Sequence, residues 1–422
     1  MSSNLFRLGY GACRDLLLRR LAEPAPGRLQ LLSGPRQVGK TTLLLEIAER
    51  FGPAALYAAC DGPEALAPGF WERLWSRVEG VAGAHGQATA LLDEAHFLPN
   101  WAARLKGEWD RLRRRRLRVH VVATGSSALR LAAGSRESLA GRFERLTLTH
   151  WSAAALAEAF GLPPAAAADI LVRHGSYPGA FALRDDPQRW AAYVRDAILE
   201  PAIGRDLLAL APVRKPALLR QVFGACVAWP AMIVSLQKLQ GQLQDRGALE
   251  TIAHYLALLE EAYLVAAVPK HARRVARRRA APPKLVVLNQ ALLAVTDPAG
   301  PPDPQRDPAR FGRWVENACL AHAWNAGQRL AYWREEPFEV DGVLEGTWGR
   351  WVVEVKVGPV APADLRGLLE FSRRFPQYRP VLIGDESARL PAERAGVEAM
   401  TWRDFLLRDL PRTPTTPWSG PS

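Results

Sequence analysis

The run Gly34-Pro35-Arg36-Gln37-Val38-Gly39-Lys40-Thr41-Thr42 carries the clearest chemistry in this 422-residue chain. Its spacing, G-x-x-x-x-G-K-S/T, is that of a phosphate-binding P-loop. Glycines at 34 and 39 let the backbone curl until its N–H groups face a phosphate. A helix starting at the end of the loop adds partial positive charge. Lys40 would reach the β- and γ-phosphates of ATP, and Thr41 would place a hydroxyl on Mg2+. Further on, Thr89 to His96 reads as an apolar strand ending in two acids, the Walker B pattern. Asp93 would hold the Mg2+, and Glu94 would polarise the attacking water. The strand Val119 to Thr124 ends in Thr124-Gly125-Ser126-Ser127, where Thr124 or Ser126 could sense the γ-phosphate. His96 has no assigned role and is expected at the surface.

A second group of ionisable residues lies in the last third of the chain. Glu316 falls in a helical stretch, Phe311 to Asn325. Asp341 falls in the alternating strand Pro337 to Leu344, and Arg350 to Lys356 is its hairpin partner. Glu354 and Lys356 are two apart and share a strand face, and the hairpin brings Asp341 near Glu354. This D-(x)n-E-x-K constellation is that of the PD-(D/E)xK nuclease fold. Carboxylates are the hard oxygen ligands Mg2+ prefers, so Asp341 and Glu354 are candidate metal ligands, with Glu316 as the helix acid. Lys356 could orient or deprotonate a water. Acids this crowded repel unless a cation or a lysine offsets them. Fold and cleavage are separate expectations, because this fold also persists with its site idle.

The elements that must position these groups can be read in order. Residues 1–28 look like a helical lead-in. Leu29 to Ser33 is a buried strand feeding the P-loop, and Thr42 to Glu49 has helical composition. Ala54 to Ala59 is a short strand, and Phe70, Trp71, Leu74, Trp75 and Val78 mark the core face of a helix. Arg111 to Arg118 is a basic cluster, either a phosphate grip or a solvated helix end favoured by the macrodipole. Ser138-Leu139-Ala140-Gly141-Arg142-Phe143 leads into a strand, Leu146 to Thr149. Residues 153–205 read as Ala-rich helices. Ser235 to Leu239, Ala248 to Glu261 and the strand Tyr263 to Val268 then precede a basic run, Lys270 to Arg279. Helix, helix, strand and basic hairpin is the order of a winged helix. Arginines on the wing could straddle a phosphate backbone. Equally, the domain could be a spacer, since the helix Ala248 to Glu261 lacks Lys and Arg. Lys284 to Asn289 and Pro380 to Gly384 are further strands, 297–309 is a loop, and Pro411 to Ser422 reads as a disordered tail.

The motifs G-P-R-Q-V-G-K-T-T, L-L-D-E-A-H with Pro99-Asn100-Trp101 after it, T-G-S-S and S-L-A-G-R-F, in this order, resemble the AAA-type (AAA_14) ATPases that carry a C-terminal DUF4143 domain. Gly175-Ser176-Tyr177-Pro178-Gly179 is similar to that family's G-G-F/Y-P turn, and Ile198 to Asp206 to its I-x-x-D segment. The resemblance covers about residues 5–405. Thr149-His150-Trp151-Ser152 departs from the family's L-P-L-S/T, and Asn289-Gln290-Ala291 replaces its Asp before the C-terminal domain. The resemblance implies an ASCE/AAA-type α/β P-loop NTPase over 1–152 and a helical lid over 153–210. It further implies a DUF4143, restriction-endonuclease-like α/β domain over 283–408, with the tail at 409–422, while the element order places a winged-helix-like domain over 211–282. It also implies that Arg142, in the family's G-R pair, contacts nucleotide in cis or from a neighbour, or is structural. ATP and Mg2+ are the implied cofactors.

Lys and Arg number 55 against 43 Asp and Glu, a net charge of +12. Such an excess fits a polyanionic partner such as DNA, or a compositional bias of the source proteome. The four cysteines form no C-x-x-C, and the eight histidines form no metal-binding spacing. Free thiols, no apolar run near the ~20 residues of a membrane span and no signal-peptide core predict a soluble cytoplasmic protein. Two functions fit. One is a DNA-linked ATPase whose hydrolysis remodels nucleic acid. The other is a nucleotide-dependent switch that binds protein partners, with an inert C-terminal domain.

Overall fold

The structure, a computed structural model, describes residues 7–125, 139–208, 213–244, 247–272 and 281–408. Ser126, Ser127 and Ser138, the wing arginines 273–279 and the tail 409–422 lie outside the described residues. The chain divides into two compact units, with the division between Thr149 and His150.

In the first unit, six strands form one sheet: β1 (Arg7–Leu8), β2 (Leu29–Ser33), β3 (Ala55–Ala59), β4 (Ala88–Asp93), β5 (Val119–Gly125) and β6 (Phe143–Leu148). Their order is β1-β6-β2-β5-β4-β3, and every pairing is parallel. Parallel strands need crossovers, and covered faces make their sequences apolar throughout. Accordingly β2, β4 and β5 are buried at every position. The crossovers include α2 (Lys40–Phe51), α3 (Phe70–His85) and α4 (Trp101–Arg114), preceded in the chain by α1 (Tyr10–Leu21). Helix α2 buries Lys40, Leu43, Leu44 and Ile47, a 3.6-residue stripe. Trp71, Leu74, Trp75 and Val78 of α3 join Trp101, Leu105, Trp109 and Leu112 of α4 in one core. The lead-in is therefore not helical throughout, because β1 forms by pairing with the far end of β6.

The second unit begins with helices Ala153–Phe160, Pro164–His174, Pro178–Phe181 and Pro187–Tyr193, then π-helical turns Val194–Leu199 and Ala202–Leu207. Helices Pro216–Ala228, Leu236–Gln240 and Leu249–Glu261 follow. The strands β7 (Val265–Val268) and β8 (Lys284–Val287) form an antiparallel pair. On its other edge β8 bonds the 231–234 segment, and Ile233 bridges Lys284. A domain boundary at 282/283 would thus cut this hairpin in two.

Helix Pro308–Asn325 leads into a five-stranded sheet: β9 (Arg329–Glu335), β10 (Phe338–Gly346), β11 (Gly349–Lys356), β12 (Arg379–Gly384) and β13 (Glu398–Thr401). Their order is β13-β12-β11-β10-β9; β9, β10 and β11 are antiparallel neighbours, whereas β12 and β13 run parallel to β11. Leu365, Leu368 and Phe371, from the segment that ends in helix Arg366–Arg374, pack on Val343, Val352 and Leu382 of the sheet.

Candidate functional site

A parallel sheet collects the carboxyl ends of its strands on one edge, where ligands of such folds bind. The loop after β2, Asp93 ending β4 and Thr124 near the end of β5 all lie on that edge, because β2, β5 and β4 are successive neighbours. The loop geometry demands its glycines. A Cβ on Gly34 would sit 2.1 Å from the Leu148 carbonyl oxygen, and one on Gly39 would sit 3.0 Å from the Tyr10 ring. Gly39 also has φ of 94°, a left-handed conformation that opens α2. The Lys40 ammonium donates to the carbonyls of Gly34 and Pro35 at 3.1 and 2.8 Å.

Asp93 is the hub of this edge. Thr41 donates to its Oδ2 at 2.6 Å and Tyr57 to the same oxygen at 3.0 Å. Thr124 donates to Oδ1 at 2.5 Å and accepts from the Glu94 amide at 2.9 Å. Thr41 and Asp93 thus offer adjacent hard oxygen donors, a set that fits Mg2+ beside a bound phosphate. Burial, helped by Asp93, raises the Tyr57 hydroxyl well above its ordinary value and pushes the Cys60 thiol up to about 12. Glu94 adopts φ of 51°, and its Oε2 lies 3.2 Å from Nδ1 of His96. The His96 side chain is 1% exposed, so it is a buried partner of Glu94 and not a surface histidine. Tyr10 and Tyr57 belong to the site without any sequence motif to mark them, and His96, which closes the L-L-D-E-A-H motif, had no role assigned to it.

Arg142 is elsewhere. It immediately precedes β6, whose Phe143 is in register with Leu29 at the start of β2. The P-loop leaves the other end of β2, about 16 Å away at roughly 3.3 Å per residue. Arg142 thus sits at the end of β2 and β6 opposite the P-loop. There Arg142 Nε donates to Asp110 at 3.1 Å, and its guanidinium lies 5.4 Å from the Trp109 ring centroid. The basic cluster 111–118 is at the same remote end, where Arg111 and Arg115 pair with Glu79.

In the second unit Glu316 and Asp341 meet on an unexpected lysine, Lys284. A register shift between Val340 and Val343 marks a bulge in β10, which re-aims Asp341. Its Oδ2 accepts from the Val355 amide at 2.9 Å, and its Oδ1 accepts from Lys284 Nζ at 2.7 Å. The same ammonium donates to Glu316 Oε1 at 2.7 Å. Burial opposes the Lys284 charge, but Asp341 and Glu316 outweigh it and hold the amine above its usual range. Burial pushes Glu316 up to about 8, and burial with the Asp341 charge raises Glu354 well above the carboxylate range. Asp341 is lowered: burial works the other way, and Lys284 prevails. Lys356, expected at this site, instead donates to Asp364 at 2.9 Å with its side chain 40% exposed. Among the described residues no group of three or more His, Cys, Asp and Glu is arranged to hold a metal ion. The arrangement does not fit the Mg2+ expected on Asp341 and Glu354, since a buried ammonium already lies against Asp341.

Residues 26–156 match the family model described as AAA domain, and residues 168–302 match a domain of unknown function, DUF8612. The second match is not the DUF4143 that the motif resemblance implied for 283–408, and it ends before Glu316, Asp341 and Glu354. An uncharacterized protein of Mycobacterium tuberculosis (strain ATCC 25618 / H37Rv) is 27% identical over 348 residues, covering 80% of this chain and 72% of that protein. An uncharacterized protein of Mycobacterium bovis has the same figures. Among solved structures, the ORC1 protein of Aeropyrum pernix in complex with DNA is 16% identical, covering 71% of this chain and 98% of that one, at a TM-score of 0.31. A RuvB variant of Thermotoga maritima is 16% identical, covering 62% and 90%, at a TM-score of 0.35. Neither likeness is close enough to bear on function. The family match and the parallel sheet with its P-loop make the first unit similar to AAA-type P-loop ATPases. Among the described residues no single helix is long and apolar enough to cross a membrane.

Proposed function

We propose that the first unit binds ATP with Mg2+ and hydrolyses it. The observation that carries this reading is the convergence of Thr41 and Thr124 on Asp93 at the carboxyl edge, beside Lys40. Thr41 and Asp93 would hold Mg2+, which supplies charge neutralisation on the phosphates. The loop from Gly34 to Thr42 would cradle the phosphates through its amides, with Arg36, Gln37 and Val38 forming the turn. Lys40 would exchange its two carbonyl partners for phosphate oxygens. Glu94 would orient the attacking water and accept its proton, and His96 would fix the carboxylate while water is admitted. Thr124 would hold Asp93 and the Glu94 backbone in register with the γ-phosphate.

Two variants test this reading. Lys40→Ala should abolish the ATP-dependent rise in melting temperature, because ligand stabilisation follows affinity. Glu94→Gln should keep that rise and lose about 10²- to 10⁴-fold in turnover, the usual worth of a general base. Turnover by Glu94→Gln at the native rate would remove Glu94 from this role.

The second unit supports a coupling to DNA through the arginine-rich segment between β7 and β8. Three helices, a short bridging segment and an antiparallel hairpin follow the order of a winged helix. A second reading, docking of a protein partner, is favoured by helix Leu249–Glu261. It occupies the recognition position with Glu250, Glu260 and Glu261 and no Lys or Arg. The C-terminal sheet supports a restriction-endonuclease-like fold.

A further inference from the structure

We propose that the Lys284 ammonium stands in place of a divalent cation between Glu316 and Asp341, making this acid pair a metal-independent joint between the β7–β8 hairpin and the C-terminal sheet. This goes beyond the ATPase reading and stands apart from it.

The geometry has four parts. First, Lys284 is aimed into the cluster by a strand that belongs to neither carboxylate's element. Glu316 comes from helix Pro308–Asn325 and Asp341 from β10, yet both reach the same Nζ at 2.7 Å. Second, the ammonium's three donors are matched, the third pointing at the Asp341 carbonyl at 3.4 Å. Both Asp341 side-chain oxygens are committed, one to Lys284 and one to the Val355 amide. Third, the Lys284 side chain is 2% exposed, and a buried charge persists only when paired and hydrogen-bonded. Fourth, the hairpin that delivers it is held from both sides. Asn317 accepts from the Val287 amide at 2.9 Å and donates to its carbonyl at 2.8 Å. Tyr332 of β9 donates to the Pro282 carbonyl at 2.5 Å, and its amide donates to the Pro269 carbonyl at 3.1 Å. A divalent ion in contact with the same carboxylate oxygens would lie against the ammonium, and like charges in a buried pocket repel. The lysine and the ion are therefore alternatives. Lys356 does not change this, because it is committed to Asp364.

The consequence is a latent site. With the amine removed, Glu316 and Asp341 regain the oxygen donors that Mg2+ or Mn2+ prefers, with water to complete the shell. The test titrates the nucleotide-free full-length chain with Mn2+ and follows the free-ion electron paramagnetic resonance signal. The native chain should show no Mn2+ uptake that depends on Asp341. Lys284→Met should take up one further Mn2+ per chain, at least about tenfold more tightly than any native site, and Asp341→Asn added to it should abolish that uptake. Binding at Thr41 and Asp93 of the first unit would be indifferent to Asp341 and is thereby separated. Native uptake that Asp341→Asn removes would overturn the proposal, as would a Lys284→Met chain that folds and binds no more than the native one. Should Lys284→Met need refolding, it is refolded with Mn2+. Recovery that requires the ion and Asp341 supports the exchange, and failure to fold at every Mn2+ concentration overturns it.

Discussion

Arg142 and Lys284 sit at opposite extremes of what side-chain identity can reveal. Arg142 stands in a motif, yet its position at the amino-terminal end of β6 gives it Asp110 and Trp109 as partners. Arg142→Ala should therefore leave ATP affinity in the same chain unchanged. It should lower stability by roughly 1 kcal/mol, the sum expected of a partly exposed ion pair and a cation–π contact. Calorimetry with and without ATP separates the two effects, and a change in affinity with unchanged melting temperature would contradict this placement. Lys284 stands in no motif. Its partners lie 32 and 57 residues away in sequence, and no periodicity reports a contact of that range. The residues of the P-loop and Asp93 were legible because their chemistry needs fixed spacing within one strand–loop–helix unit. Tyr57 was not, since a tyrosine on a strand looks the same whether it faces solvent or an aspartate.

At the scale of elements, legibility followed the source of each element's stability. Strands β2, β4 and β5 are mostly apolar, with Gln30, Thr89 and His120 among their buried exceptions, because both faces of the sheet are covered, and such runs are visible in composition. Strand β1 has two residues and exists only through Arg7 and Leu8 pairing with Thr147 and Leu148, which nothing local could announce. Strands β9 and β13 are likewise additions to the reading from sequence, and β8 moves from the C-terminal sheet to a hairpin with β7. Two close approaches between elements give sharp predictions. A Cβ on Gly367 would fall 1.8 Å from the Glu339 carbonyl oxygen, where helix Arg366–Arg374 meets β10. Gly367→Ala should cost about 3 kcal/mol or more, among the larger single-site losses, because backbone must move. Gly34→Ala meets the Leu148 carbonyl in the same way and should abolish nucleotide binding along with stability. Chemical denaturation of each variant checks the first expectation, and the ATP-dependent melting shift checks the second.

At the scale of the molecule, the charge of +12 is spread unevenly in its use. Within the 111–118 cluster, Arg111 and Arg115 are engaged by Glu79. The arginines at 273, 274, 277, 278 and 279 form the other dense basic run. Replacing all five by Ala should weaken duplex DNA binding and flatten its salt dependence by up to about one unit per lost phosphate contact. An unchanged slope would exclude this segment as the DNA contact and leave the protein-docking reading of the second unit.

The shared backbone of β8 also decides where this chain can be cut. Its Leu285 amide and carbonyl bond Met232 and Ala231, and its other edge pairs with β7. A fragment starting at Pro283 would keep the five-stranded sheet but strip both neighbours from Lys284–Val287. Bare strand edges template association with other copies. Such a fragment should form soluble aggregates in light scattering, whereas one starting at His150 keeps both neighbours and should run as a single species. The seam that looks natural in the sequence is thus the wrong place to divide the protein, and the serviceable one lies more than a hundred residues earlier, between Thr149 and His150.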